Sequence, residues 1–167
     1  MPVVDEQDKN NPIYFSQYAQ RIVNNWLKVE EKFCCSPNYL DGQSEIKPYM
    51  RETMIDWIID VHSKLSKRRE TLYLCVNIID RYVSTVIREK TDIITRGTYQ
   101  LVGVAAYFIA SKYEEIAYPE IATLLDCADN CYHEADVKEM EIKIVNTLQY
   151  DLTVPTTNKF LERFLHV

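Results

Sequence analysis

The residue types and spacing in this sequence bear on two kinds of chemical site, a metal site and an active site. The candidate for the first is Cys127, Cys131 and His133, which lie close together and could bind zinc. A structural zinc site needs four ligands, and no fourth accompanies them, so we expect no bound metal. The second would be an active site, but the sequence has no Gly-rich phosphate loop, nucleophile elbow or His-Glu-x-x-His pattern. We therefore expect a protein that is not an enzyme and needs no cofactor.

Charged residues at the edges of apolar segments are the remaining candidates for function. Lys112, Glu114 and Glu115 follow directly on the most apolar stretch of the chain. Acidic residues near a helix C-terminus oppose the helix dipole, so these side chains either form a solvated last turn or are held at a rim for a partner. Glu141 falls inside a later apolar stripe, where an acid is costly unless it is paired. It makes either an internal ion pair or a contact with a partner.

An apolar strip with polar flanks precedes these segments. Met50 and Trp57 recur at helical spacing, and Thr53 and Asp60 fall on their flank. The strip either packs in the core or remains exposed as a docking groove for a peptide with a cation and a Leu-like anchor. Further along, Asp80 lies among apolar neighbours and needs a cation, which Arg51 or Arg81 could supply.

The element that positions these residues is a central helix predicted over Thr98–Glu115. From Leu101 to Ala110 it is apolar on every side, which indicates burial by surrounding helices. The apolar run is about half the length of roughly 20 residues that a membrane span requires. We therefore expect a central helix inside an all-α domain and no membrane partner.

The remaining segments also show helical periodicity, and none shows strand alternation with hairpin turns. Helices are predicted from Pro12 to about Phe33, from Pro48 through the strip, from Glu70 to Ile87, from Pro119, from about His133 to Leu148, and after Pro155. The segment from Arg88 to Thr98 reads as a surface loop. We expect a loosely attached tail over residues 1–11. The predicted domain limits are 1–42 for the tail, first helix and loop, 43–153 for the helical domain, and 154–167 for a linker and the start of a further unit.

Composition limits the possible partners and the compartment. The 167 residues carry a net charge of −6, which argues against a nucleic-acid-binding surface. The amino-terminal residues are polar and acidic, so we expect no signal peptide or membrane anchor there. The five cysteines lack paired spacing and fit reduced thiols. We expect the protein in the nucleus and cytoplasm.

Four blocks of the sequence together resemble one family. The segment MRETMIDWIIDVHSKL resembles the Met-Arg-x-x-apolar-x-Asp-Trp motif that opens the cyclin box. The blocks ETLYLCVNIIDRYVS, YQLVGVAAYFIASKYEE and MEIKIVNTLQYDLTVPTTNKF match the family in the same order. The resemblance runs from about Pro12 to the end and is greatest to the A/B-type mitotic cyclins. It implies five helices around a central one, preceded by an amino-terminal helix.

The resemblance also implies a function and a set of sites. Cyclins bind and activate a cyclin-dependent kinase in cell-cycle control and recruit substrates or inhibitors that carry Arg-x-Leu motifs. The implied kinase-binding residues are Lys112, Glu141, Tyr113, Glu115, Tyr150, Tyr18, Ile22 and Trp26. The implied docking patch is Met50, Thr53, Met54, Trp57, Asp60, Tyr99 and Gln100, and Arg51 with Asp80 is the implied structural ion pair. The alternative is a cyclin-box scaffold of the transcription type that activates no kinase.

Overall fold

A computed structural model describes residues 16–41 and 43–165 of the chain. Its α-helices are α1 Ser16–Val29, α2 Pro48–Leu65, α3 Arg69–Glu89, α4 Arg96–Glu114, α5 Ile121–Cys127, α6 Glu134–Thr147 and α7 Thr157–Leu165. A 3-10 helix, Glu30–Phe33, extends α1, and no strand occurs among the described residues. The predicted loose tail over residues 1–11 and the predicted helix start at Pro12 lie outside the described residues.

The central helix of the sequence prediction is α4. Every residue from Tyr99 to Ser111 is buried except Gln100. The helix contacts α2, α3, α5 and α6, so its apolar side chains meet a neighbour in every direction. Its first turn is closed by Thr95 and Thr98, whose side chains bond each other's backbone N–H groups in a capping box. The predicted all-α fold, with five helices of which the central one is buried, is confirmed.

The helices around α4 begin and end where local chemistry requires. Pro48 lies in the first turn of α2, where its missing N–H costs no hydrogen bond. Ser66 and Lys90 follow α2 and α3 in the left-handed conformation, with φ of 50° and 53°, which stops each helix. The loop between α3 and α4 is residues 90–95, because α3 continues to Glu89 and α4 begins at Arg96. The predicted loop from Arg88 to Thr98 was therefore too long at both ends.

The chain divides into two compact units. Residues 35–153 form the larger unit, which contains α2 to α6 and the central helix. Of the described residues, the smaller unit combines 16–34 with 154–165, so it contains α1 and α7. Within the smaller unit, the Trp26 ring stands edge-on to Phe160 with centroids 5.6 Å apart. None of the described helices combines the length and apolarity needed to cross a bilayer.

Candidate functional site

Lys112 and Glu141 form an ion pair between the last turn of α4 and the middle of α6. The Lys112 ammonium donates a hydrogen bond to Glu141 Oε1 and lies 4.3 Å from the centre of the Phe108 ring. The two side chains keep 34% and 19% of their surface exposed. Of the two possibilities for Glu141 from the sequence, the isolated chain adopts the ion pair. The pair is at the surface, so a partner can still reach both charges.

Two exposed aromatic side chains, Tyr113 and Tyr118, lie near this pair. Tyr113 follows Lys112 and donates or accepts a hydrogen bond with Thr153 Oγ1 at 2.6 Å, and Tyr150 is exposed. Tyr118 stands edge-on to Phe108, the ring on which Lys112 lies. Ile116, Tyr118 and Ile142 were not predicted as site residues, although each is exposed. Ile116 and Tyr118 lie in a loop, where helical periodicity gives no signal, and Ile142 differs from Ile144, the core isoleucine of α6, only by its helix face.

Glu115 has an internal role that the sequence did not reveal. Its Oε1 accepts hydrogen bonds from the Thr71 hydroxyl at 2.5 Å and from the Arg68 N–H at 2.8 Å. Burial favours the neutral carboxyl, but these hydrogen bonds and the charges of Lys67 and Arg68 lower the pKa of Glu115 overall. Glu115 therefore caps the start of α3 and ties the loop after α4 to it. In the isolated chain its carboxylate is engaged rather than available to a partner.

The other expected kinase contacts lie on α1. Tyr18 and Ile22 are exposed, and Trp26 is partly covered through its contact with Phe160. These residues belong to the smaller unit, whereas the Lys112–Glu141 pair belongs to the larger one.

Asp80 pairs with Arg51 rather than Arg81. The Arg51 Nε and Nη2 donate to the two Asp80 carboxylate oxygens, both at 2.7 Å, which joins α2 to α3. The Tyr39 hydroxyl donates a third hydrogen bond to Asp80 Oδ1 at 2.8 Å. Burial, together with the charge of Asp80, raises the pKa of Tyr39 well above its ordinary value. Tyr39 thus fastens the segment before α2 to the ion pair, a role that no spacing in the sequence indicated.

The docking-patch residues lie on α2 and in the first turns of α4, and the structure buries two of them. Met54 keeps 6% of its surface exposed and Tyr99 keeps 3%, so neither presents a contact surface in this state. Burial, with a contribution from Asp80, raises the pKa of Tyr99 to about 12. A Cβ on Gly103 would lie 2.6 Å from the Met54 sulfur and 3.4 Å from the Trp57 ring. The absence of a side chain at Gly103 therefore lets α2 pack closely on α4.

The accessible part of the patch is smaller than predicted. Thr53 and Asp60 are exposed, while Met50, Trp57 and Gln100 are partly exposed. The Trp57 indole donates to the Cys127 carbonyl at 3.3 Å, so one edge of the ring is held by the end of α5. The Tyr132 hydroxyl contacts Gln100 Oε1 at 3.4 Å and donates to the Gly97 carbonyl at 2.9 Å. The strip combines structural packing with an exposed flank, so core packing describes part of it, and docking of a peptide on the exposed flank stays a prediction.

Comparisons with known proteins give one consistent family. The family described as Cyclin, N-terminal domain, matches residues 21–153. Cyclin-B2-2 of Oryza sativa subsp. indica is 43% identical over 166 residues, which are 98% of this chain and 38% of the relative. G2/mitotic-specific cyclin-2 of Medicago sativa is 38% identical over 164 residues, which are 97% of this chain and 48% of the relative. The chain thus spans less than half the length of these curated relatives.

A solved structure supports the fold independently. The X-ray structure of a viral cyclin from herpesvirus saimiri matches with a TM-score of 0.68 and 20% sequence identity. The match covers 80% of this chain and 56% of the viral protein. At 20% identity, the match shows that the two proteins share an arrangement of helices.

Proposed function

The chain belongs to the cyclin family, and we propose that it is a regulatory subunit that binds and activates a cyclin-dependent protein kinase in the mitotic cell cycle. Its role in this proposal is regulatory, and the kinase supplies the catalysis. Because the chain spans less than half of its curated relatives, activity and partners of the whole protein belong to the proposal. We further propose that it acts in the nucleus and cytoplasm.

The observation that carries the proposal is the position of the Lys112–Glu141 pair. Lys112 is the last basic residue of a helix whose preceding turns are completely buried, so its position is fixed by the core. Exposed Tyr113 follows Lys112, and exposed Tyr118 stands edge-on to Phe108, the ring on which Lys112 lies, so both supply apolar surface near the pair. The fixed charges suit the polar backbone groups at the end of a partner helix, and the exposed apolar side chains near them suit the apolar face of that helix.

Binding requires that the pair exchange its internal hydrogen bond for contacts with the kinase. An ion pair with this exposure is worth about 0.2–1 kcal/mol, so opening it costs little. In the proposed complex, both side chains contact the backbone of the kinase αC helix and push that helix inward. Kinase activation depends on this movement, because it completes the kinase's Lys–Glu ion pair and places its metal-binding Asp. The cyclin surface thus acts as a rigid template for the active kinase.

We also propose that the exposed flank of α2 recruits substrates or inhibitors with Arg-x-Leu motifs. Asp60 offers a carboxylate for the Arg, and Met50 and Trp57 offer an apolar slot for the Leu. Met54 is buried against Gly103, so it adds no exposed surface to this slot. Asp60 and Thr53 remain the most accessible residues of the site.

The test is a pull-down of the chain with candidate cyclin-dependent kinases, followed by a histone kinase assay. The parent chain should bind and activate one of them, and the double variant Lys112→Ala/Glu141→Ala should do neither. A matched control is Glu134→Ala/Lys138→Ala, which removes another ion pair from α6, between groups 2.6 Å apart. The control should behave as the parent. Binding without activation would instead support the scaffold alternative, and unaltered activation by the double variant would refute the proposed interface.

A further inference from the structure

Four cations are concentrated where α2 ends and α3 begins. Lys64, Lys67, Arg68 and Arg69 lie within one short segment of a chain whose net charge is −6. We call these four residues the basic corner. Arg68 has only a 3.7 Å contact with Glu70, and neither Lys64 nor Arg69 has an ion-pair partner among the described residues. The basic corner is therefore a local positive surface on an acidic protein.

Contacts with the loop after α4 hold the basic corner in place. The Lys67 ammonium donates to the Ala117 carbonyl at 2.8 Å, and the Arg68 N–H donates to Glu115 Oε1 at 2.8 Å. Ser66, in the left-handed conformation, turns the chain sharply between the two helices. The backbone that carries these cations is thus anchored, which reduces the entropy cost of binding a partner.

The stability of the helices does not explain the charges of Arg68 and Arg69. These residues occupy the N-cap and first positions of α3, where the helix dipole favours acids and disfavours cations. Of the four, only Lys64 lies at a helix C-terminus, where a cation is favourable. Arg68 and Arg69 therefore oppose the dipole of α3, a cost that Glu70 and Glu115 offset in part and that an external anion would reduce further.

Exposed apolar side chains border the basic corner. Lys67 and Arg68 bind the loop that carries Ile116, which is fully exposed, and Tyr118, which is about half exposed. We propose that the basic corner binds an acidic peptide segment of a partner protein, with its carboxylates on the cations and an adjacent apolar side chain against Ile116. Nucleic acid fits less well, because it requires an extended row of cations, whereas these four lie within one short segment.

The proposal can be tested without any kinase, so its outcome is separate from that of the proposed function. The probe is a fluorescent peptide of alternating glutamate and glycine with one central leucine, titrated against the chain and followed by anisotropy. The variant Arg68→Gln/Arg69→Gln should weaken binding about tenfold, and raised salt should weaken binding by the parent. The control Lys138→Gln/Lys143→Gln removes the same charge from α6, where each lysine has a glutamate partner, and should change binding less than about twofold.

Three results would overturn the proposal. The parent chain could fail to bind the peptide. The Arg68/Arg69 variant and the Lys138/Lys143 control could also weaken peptide binding equally, which would show that only the net charge of the chain matters. A single-stranded oligonucleotide of equal charge could also bind more tightly than the peptide and displace it, which would make the partner a nucleic acid. Circular dichroism of both variants checks that neither substitution unfolds the domain.

Discussion

Lys112 and Glu141 neutralise each other across α4 and α6 in the isolated chain, although both are expected to contact a partner. An unpaired charge at the edge of the core would be unfavourable, but each of these side chains neutralises the other until a partner binds. The contribution of the pair to folding and its contribution to kinase binding can therefore be measured independently. The pair contributes little to folding, whereas its contacts with a kinase would be enclosed at an interface.

A double-mutant cycle over Lys112→Ala and Glu141→Ala should show this difference. We expect a coupling of about 0.2–1 kcal/mol in the free energy of unfolding, because both side chains are partly exposed. Each single substitution should weaken kinase binding by about 2–5 kcal/mol, since charges in an interface lose their solvent when the partner binds. Urea denaturation gives the first quantity and calorimetric titration with the kinase gives the second. A strongly unstable double variant that still binds kinase would show a structural role.

The Arg51–Asp80 pair, in contrast, should contribute strongly to the free energy of unfolding. Asp80→Ala should lower the free energy of unfolding by about 3 kcal/mol, because it leaves Arg51 and the partly buried Tyr39 hydroxyl without their shared acceptor. Tyr39→Phe removes only one donor and should cost about 1 kcal/mol. Chemical denaturation checks that the free energy of unfolding falls from the parent to Tyr39→Phe and then to Asp80→Ala. An Asp80→Ala variant as stable as the parent would mean that the pair is not formed in solution.

The sequence predicted some of these features because they depend on the pattern within one segment. An apolar run on all faces was enough to identify α4 as the central helix, and an acid among apolar residues was enough to require a cation for Asp80. The choice of Arg51 over Arg81 came with the family resemblance, since both arginines were possible by spacing.

Other features depend on contacts between distant segments, which spacing does not encode. Glu115 caps α3 through Thr71, and Tyr39 reaches Asp80 across the chain from an irregular loop. Whether Met54 is exposed was also beyond the pattern, because it depends on the lack of a side chain at Gly103 where α2 meets α4. Helical spacing assigns residues to a face, but neighbouring helices decide how much of that face is covered.

The cap formed by Glu115 should give stability a defined pH dependence. The pKa of Glu115 is lower in the folded protein than its ordinary value of 4.5. Its stabilising contribution is therefore fully present above about pH 4.5 and is lost as the pH falls through the lower, folded value. Glu115→Gln should melt at a lower temperature than the parent at pH 7, and the difference should shrink below pH 4.5. Thermal melts over this pH range check the prediction, and a constant difference would contradict it.

The exposed flank of α2 allows predictions of opposite sign for the docking site. Asp60→Asn should weaken an Arg-x-Leu peptide by about 1 kcal/mol, because an exposed carboxylate contributes modestly to an ion pair. Thr53→Ile should tighten it by about 1 kcal/mol, since Thr53 is exposed beside the strip and isoleucine adds apolar area there. Neither change touches the core, so both variants should unfold as the parent does. Trp57→Ala is a poorer test, because Trp57 also packs near Gly103 and bonds the Cys127 carbonyl.

The measurement is calorimetric titration of the chain with an Arg-x-Leu peptide and with the same peptide carrying Ala in place of Arg. If Asp60 binds the Arg, then Asp60→Asn should weaken the first peptide and leave the second unchanged. Glu52→Gln is the matched control, because Glu52 is exposed on α2 but lies away from the strip by helical spacing. It removes the same charge and should alter neither affinity. If Asp60→Asn and Glu52→Gln changed the peptide affinity equally, Asp60 would contribute only through the net charge of the chain. No binding by the parent would leave Met50 and Trp57 as packing residues alone.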